Sequence, residues 1–92
     1  MDNYKIFMDE KENIFSAFKL DVKDESQDIY FDAVSREFAS FTRNMEALGE
    51  KVTSQHILGF FTTSMFKIMR IKTCNPVMLR NVCDTLSKEI GE

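Results

Sequence analysis

The sequence predicts a small α+β domain in which an N-terminal β-hairpin precedes three helices. Apolar and polar residues alternate through the first 22 positions, whereas apolar residues recur at steps of three and four in three later stretches. One proline and three glycines in 92 residues predict few long loops. A chain of this length and composition predicts a single domain over residues 1–92.

Residues 4–22 predict the hairpin. Tyr4, Ile6 and Met8 alternate before a polar stretch, and Ile14, Ser16, Phe18, Leu20 and Val22 alternate after it. A period of two places these side chains on one face of a strand. Two such runs around a short polar turn are typical of a hairpin, although no Asn-Gly or Asp-Gly pair specifies the turn type.

Apolar stripes predict helices over 27–48, 54–72 and 76–90. Asp24 and its acidic neighbours are suited to the start of the first helix, and Gly49 is suited to its end. Thr53 is the predicted N-cap of the second helix. Asn75 followed by Pro76 is the clearest start signal for the third helix.

Composition and motifs exclude several classes of protein. No apolar run is long enough to span a membrane, and no signal peptide precedes the first predicted strand, so we expect a cytoplasmic protein. Cys74 and Cys83 are nine residues apart and match no zinc spacing, so neither a metal nor a cofactor is expected. The lone His56 is better explained as a helix-capping or surface residue than as a catalytic base, so we expect no enzyme activity.

The charges are distributed unevenly along the chain. Residues 1–50 hold 12 acidic and 6 basic residues, whereas residues 51–92 hold 3 acidic and 6 basic residues. The acidic residues of most interest are Asp9, Glu10, Glu12, Asp21, Asp24, Glu25, Asp28 and Asp32. A solvated surface and the preference of acids for helix starts account for some of them.

The spacing of these acids also suggests a function. Alternate residues of a strand are about 6.7 Å apart, and helix positions four apart are separated by about 6 Å. Neighbouring phosphates of a DNA strand lie about 7 Å apart. The sequence therefore predicts a non-enzymatic inhibitor whose acidic surface imitates DNA and blocks a DNA-binding host protein, with no direct contact to nucleic acid.

Two alternatives depend on the second predicted helix. Phe60, Phe61, Phe66 and Met69 surround most of it, which is typical either of a central helix or of a homodimer or partner interface. The corresponding function is a dimeric adaptor or regulator. Lys67, Arg70, Lys72 and Arg80 flank the connection to the third helix and would suit a nucleic-acid binder, although the chain as a whole is acidic.

The chain resembles the Arn-like anti-restriction family among the small early proteins that phages use to disable host DNA-handling systems. The shared features are the 92-residue length, the acidic stretch from Asp9-Glu10-Lys11-Glu12 through Asp32, and the aromatic, methionine-rich helices. The resemblance implies a homodimeric DNA mimic that inhibits a host restriction nuclease or nucleoid protein. No motif assigns individual site residues through it.

Overall fold

A computed structural model describes residues 2–91, and these residues form helices without a strand. The helices are α1 (Asn3–Asp9), α2 (Lys11–Ala17), α3 (Asp28–Ala47), α4 (Ser54–Ser64) and α5 (Pro76–Gly91). A 3-10 turn over Glu25–Gln27 leads into α3, and a π-helical turn over Met65–Met69 continues α4.

The predicted β-hairpin is wrong, and with it the α+β class. The side chains buried in this region are those of Phe7, Ile14, Phe15, Ala17 and Phe18. Steps of 7, 8 and 11 residues from Phe7 follow the helical period, whereas Ser16, assigned to the apolar face of a strand, is exposed. Asp2 caps α1 by accepting hydrogen bonds from the N–H groups of Tyr4 and Lys5.

The first of the three predicted helices is confirmed as α3. Gly49 adopts the left-handed conformation with φ of 76° and ends it. Its N–H donates to the carbonyl of Glu46, and the N–H of Glu50 donates to that of Met45. This pair of bonds is the Schellman arrangement, in which a glycine avoids the steric cost of positive φ.

The second predicted helix is confirmed in its first half and differs in its second half. Thr53 caps α4 as predicted, but α-helical hydrogen bonding stops at Ser64. The chain then makes the π-helical turn, and Arg70 ends it in the left-handed conformation with φ of 58°. The N–H groups of Arg70 and Ile71 both donate to the carbonyl of Met65.

The third predicted helix is confirmed as α5, and its predicted cap is also present. The side-chain oxygen of Asn75 accepts hydrogen bonds from the N–H groups of Val77 and Met78 at 3.1 Å each. Pro76 occupies the first helical position, where its missing N–H costs nothing.

An aromatic cluster joins the helices. The ring of Phe7 on α1 lies 5.4 Å from that of Phe31 and 4.7 Å from that of Phe38, both on α3. It also lies 5.5 Å from the ring of Phe61 on α4. The remaining buried apolar side chains, including those of α5, belong to the same core. Phe7 therefore packs α1 against both α3 and α4.

Candidate functional site

The acidic residues lie on α1, α2, the connection to α3 and α3 itself, and α1 and the start of α2 meet α3 at a seam. α1 runs antiparallel to α3, since Asn3 at its start hydrogen-bonds Thr42 and Met8 near its end contacts Ser35. Lys11 at the start of α2 contacts Asp28 at the start of α3. Asp9 and Glu12 are exposed on the outer helices, while Asp21, Asp24 and Glu25 lie in the connection that leads to α3. We use the term acidic face for Asp9, Glu10, Glu12, Asp21, Asp24, Glu25, Asp28 and Asp32.

Three members of the acidic face form ion pairs. Asp9 pairs with Lys5 at 3.0 Å, Asp28 with Lys11 at 2.7 Å, and Asp32 with Arg36 at 2.8 Å. In the pairs of Asp9 and Asp32, the two partners lie one helical turn apart on the same helix, α1 and α3 respectively. The pair of Lys11 and Asp28 instead connects α2 to α3. All three pairs are at least partly exposed to solvent, so each contributes little to stability and can exchange partners.

Asp32 lies in the most elaborate polar arrangement of the seam. Its carboxylate accepts hydrogen bonds from Arg36 and from the Tyr4 hydroxyl, and these two bonds lower the pKa of Asp32 below its usual value. The hydrogen bond to Asp32 raises the pKa of the Tyr4 hydroxyl. The Arg36 guanidinium also lies 5.5 Å from the centre of the Tyr4 ring. Asp32 is therefore held as a carboxylate at neutral pH.

Other members of the acidic face have local structural roles. Asp21 accepts a hydrogen bond from the N–H of Lys23, and Asp24 accepts one from the N–H of Ser26 at the start of the 3-10 turn. Glu10 accepts a hydrogen bond from the side-chain amide of Asn13 and turns toward a hollow beside α5. Glu12 and Glu25 are exposed and form no ion pair with another residue of the 2–91 range.

Because the N-terminal segment is helical rather than a hairpin, the expected spacing of the acidic residues is different. Without strands, the 6.7 Å separation of alternate strand positions does not apply to Asp9, Glu10 or Glu12. The helical separation applies to Asp28 and Asp32, which lie one turn apart on α3 at about 6 Å. The helical spacing argument therefore holds for Asp28 and Asp32, and the strand spacing argument holds for none of the acidic face.

The four residues predicted as a partner interface are not exposed together. The side chains of Phe60, Phe61 and Met69 are buried in the core, and only that of Phe66 is exposed, at 54 %. Of the two interpretations of this helix, the central position therefore accounts for Phe60, Phe61 and Met69. These three side chains are covered by the described chain itself.

The basic residues near the end of α4 also separate into two places. Phe66, Lys67, Arg70 and Lys72 are exposed on or just after the π-helical turn. Arg80 lies instead beside Leu58, about two helical turns back along α4. Sequence patterns did not predict the π turn. The one signal for it is the density of apolar residues from Met65 to Ile71, too high for a single helical face.

In the described part of the chain, His56 and Cys83 occupy structural positions. His56 accepts a hydrogen bond from the N–H of Thr53 and completes the capping box of α4, as its position predicted. Burial raises the pKa of the Cys83 thiol to about 12, so this cysteine remains a protonated core residue. That part of the chain also lacks any group of three potential metal ligands and any helix long and apolar enough to cross a membrane.

A hollow on the described surface lies between α3 and α4. It has a volume of about 550 Å³ and a floor formed by Phe41 and Phe60, whose rings are 5.4 Å apart. Its ionisable side chains are those of Glu37 and His56, and His56 is already engaged in the cap.

Comparison with protein-family models, with curated proteins and with solved structures found no match in any of the three.

Proposed function

We propose that the protein is a non-enzymatic inhibitor whose acidic face occupies the DNA-binding surface of another protein. The observation that carries this proposal is the packing of the acid-rich segments against one another. The contact between Lys11 and Asp28 at 2.7 Å brings the start of α2 beside the start of α3. Asp28 thereby lies close to the start of α2, the helix that carries Glu12.

A partner that binds DNA would bring arginine and lysine side chains to this surface. The cations that pair with Asp9, Asp28 and Asp32 belong to exposed or partly exposed pairs, so exchanging them for the partner's cations costs little. Glu12 and Glu25 need no exchange. Electrostatic attraction of this kind accelerates association and is strongly reduced by salt.

The resemblance to phage early proteins supports a restriction nuclease or nucleoid protein as the target, in the cytoplasm of a host cell. It also supports a homodimer, which would double the number of carboxylates presented. With Phe60, Phe61 and Met69 buried, such a dimer would have to use other residues than the predicted interface.

The test is competition with duplex DNA. A purified bacterial restriction nuclease and a purified nucleoid protein are each bound to fluorescent duplex DNA, and the protein is added at low salt. We expect DNA to be displaced from at least one of them. The displacement should be lost at about 1 M salt, where the screening length falls to about 3 Å.

Two triple variants localise the effect. Replacing Asp9, Glu12 and Glu25 by lysine should abolish displacement. Replacing Glu37, Glu46 and Glu50 by lysine changes the net charge equally on exposed positions outside the acidic face, and should leave displacement largely intact. Equal activity of both variants would contradict the proposal.

A further inference from the structure

The π-helical turn exposes a basic and aromatic surface. We use the term basic turn for Phe66, Lys67, Arg70 and Lys72. Met65 and Met69 are buried in the core and anchor the segment at both ends of the π turn. The four members of the basic turn lie between or just beyond these anchors and are exposed to solvent.

The basic turn lies in a part of the chain without acids. Residues 51–83 contain five lysines and arginines and no aspartate or glutamate. All three ion pairs in the described range belong to residues 5–36. Lys67, Arg70 and Lys72 therefore keep their charges available for a ligand.

Phe66 provides an aromatic surface next to these charges. Its side chain is 54 % exposed, although every other phenylalanine of the chain is buried or partly buried. The Lys72 ammonium group lies 5.6 Å from the centre of its ring. Exposed aromatic rings beside cations are the combination with which proteins bind single-stranded nucleic acids, because bases stack on the ring while the cations contact phosphates.

The backbone of the basic turn is unusual as well. A π-helical turn is rare and occurs often at functional sites. Arg70 has a φ of 58°, a left-handed conformation that is sterically unfavourable for a residue with a Cβ. The end of α3 shows the cheaper solution, since Gly49 occupies the same region there. A ligand-binding role would give a reason for an arginine at this position.

We infer that the basic turn binds single-stranded nucleic acid, with phosphates on Lys67, Arg70 and Lys72 and one base stacked on Phe66. A single strand fits better than a duplex because its bases are free to stack on a side chain, whereas a duplex covers their faces. This site is separate from the acidic face, so it can fail or succeed independently of the proposed inhibition.

The probe is a fluorescent oligothymidine of about ten nucleotides, within the range that one small binding module covers. Fluorescence anisotropy measures its binding to the full chain over a range of salt concentrations. Neutralising three phosphates predicts a slope of about −2 for the logarithm of the association constant against that of salt concentration. We expect binding at low salt with this slope.

Three variants test the named contacts. The triple variant Lys67→Gln, Arg70→Gln, Lys72→Gln should abolish binding. Phe66→Leu removes an exposed ring and should weaken binding about 5- to 150-fold, the range expected for one stacked base. The control triple variant Arg43→Gln, Lys51→Gln, Lys88→Gln removes the same charge from other exposed positions and should bind within a few-fold of the unaltered chain.

Several results would overturn the inference. Absence of an anisotropy change at low salt would do so, as would equal losses in the two triple variants. Equal binding of a matched duplex with no effect of Phe66→Leu would exclude stacking on a single strand. Tighter binding of polyglutamate than of oligothymidine would assign the basic turn to an acidic protein partner instead. The lysine triple variant of Asp9, Glu12 and Glu25 should still bind the oligonucleotide, which separates this test from that of the inhibitor.

Discussion

The acidic face and the basic turn use charge in opposite ways. On the acidic face, Asp9, Asp28 and Asp32 are paired with neighbouring cations, and Asp24 holds a turn. On the basic turn, the cations have no ion pair within the described chain. The first region is therefore partly neutralised by its own structure, whereas the second is not neutralised by ion pairs within the described chain.

The backbone shows a related difference. Lys19 and Arg70 have the same φ of 58°, one at the end of α2 and one at the end of the π turn. Lys19 has no exposed aromatic neighbour along the chain, whereas Arg70 lies four residues from Phe66. An unusual backbone angle alone therefore does not mark a binding site, and the surrounding side chains have to be considered with it.

The largest effect is expected in the aromatic cluster of the core, which supports both regions. Phe7→Ala should destabilise the protein by about 3–5 kcal/mol, because this ring of α1 packs against both α3 and α4. Denaturant unfolding measures this change. Phe7→Leu keeps an apolar side chain and should cost much less. Equal losses in the two variants would contradict this expectation, because they would show that apolar volume without the ring contributes nothing at this position.

A smaller effect is expected from replacing the two left-handed basic residues by glycine. Lys19→Gly and Arg70→Gly should each change the stability by less than about 1 kcal/mol, since relief of the Cβ clash is offset by a more flexible unfolded chain. Only Arg70→Gly should weaken oligothymidine binding. Equal weakening by both variants would contradict the difference drawn between the two positions.

The contact between α2 and α3 can be measured by a double-mutant cycle. Lys11→Gln and Asp28→Asn, singly and together, should reveal a coupling of about 0.2–1 kcal/mol that falls with added salt. A coupling well above this range would mean that the pair is a structural anchor. The acidic face could not then exchange Lys11 for a partner's cation.

The smallest effect concerns Asp32 and its dependence on pH. Its pKa is lowered in the folded protein, first by Arg36 and then by Tyr4, so its contribution to stability is present above its unfolded pKa and lost as the pH falls through the folded value. Asp32→Asn should therefore be less stable than the unaltered chain near neutral pH, with the difference closing in acid. In an Arg36→Gln background the difference should be smaller at neutral pH. A difference independent of pH would contradict this account.

The success of the sequence predictions depended on how local the signals were. The capping residues Thr53 and Asn75 and the terminating Gly49 act on the backbone within a few residues, so their roles could be predicted and are confirmed. The acidic residues could be named from the sequence alone. The ion pair of Asp28 with Lys11 and the hydrogen bond from Tyr4 to Asp32 could not be predicted, because both depend on how the N-terminal helices meet α3.

The hairpin prediction failed because two periods compete in the same residues. The alternation of Ile14, Phe18 and Leu20 with polar residues indicates a strand, but Phe7, Ile14 and Phe18 also follow helical steps of seven and four. Packing decided between them, since the helical arrangement buries Phe7 and Phe15 together against Phe31. An isolated segment this short contains too little information to choose.

The sequence by itself determined the helices α3 and α5, the start of α4, the caps and the uneven distribution of charge. Each of these depends on neighbouring residues or on composition. Only the tertiary structure decided the helical N-terminus, the burial of Phe60 and Phe61, the exposure of Phe66 and the separation of Arg80 from Lys67. These depend on which faces meet across the core, and the free energy of burying apolar surface is shared among residues far apart in the chain.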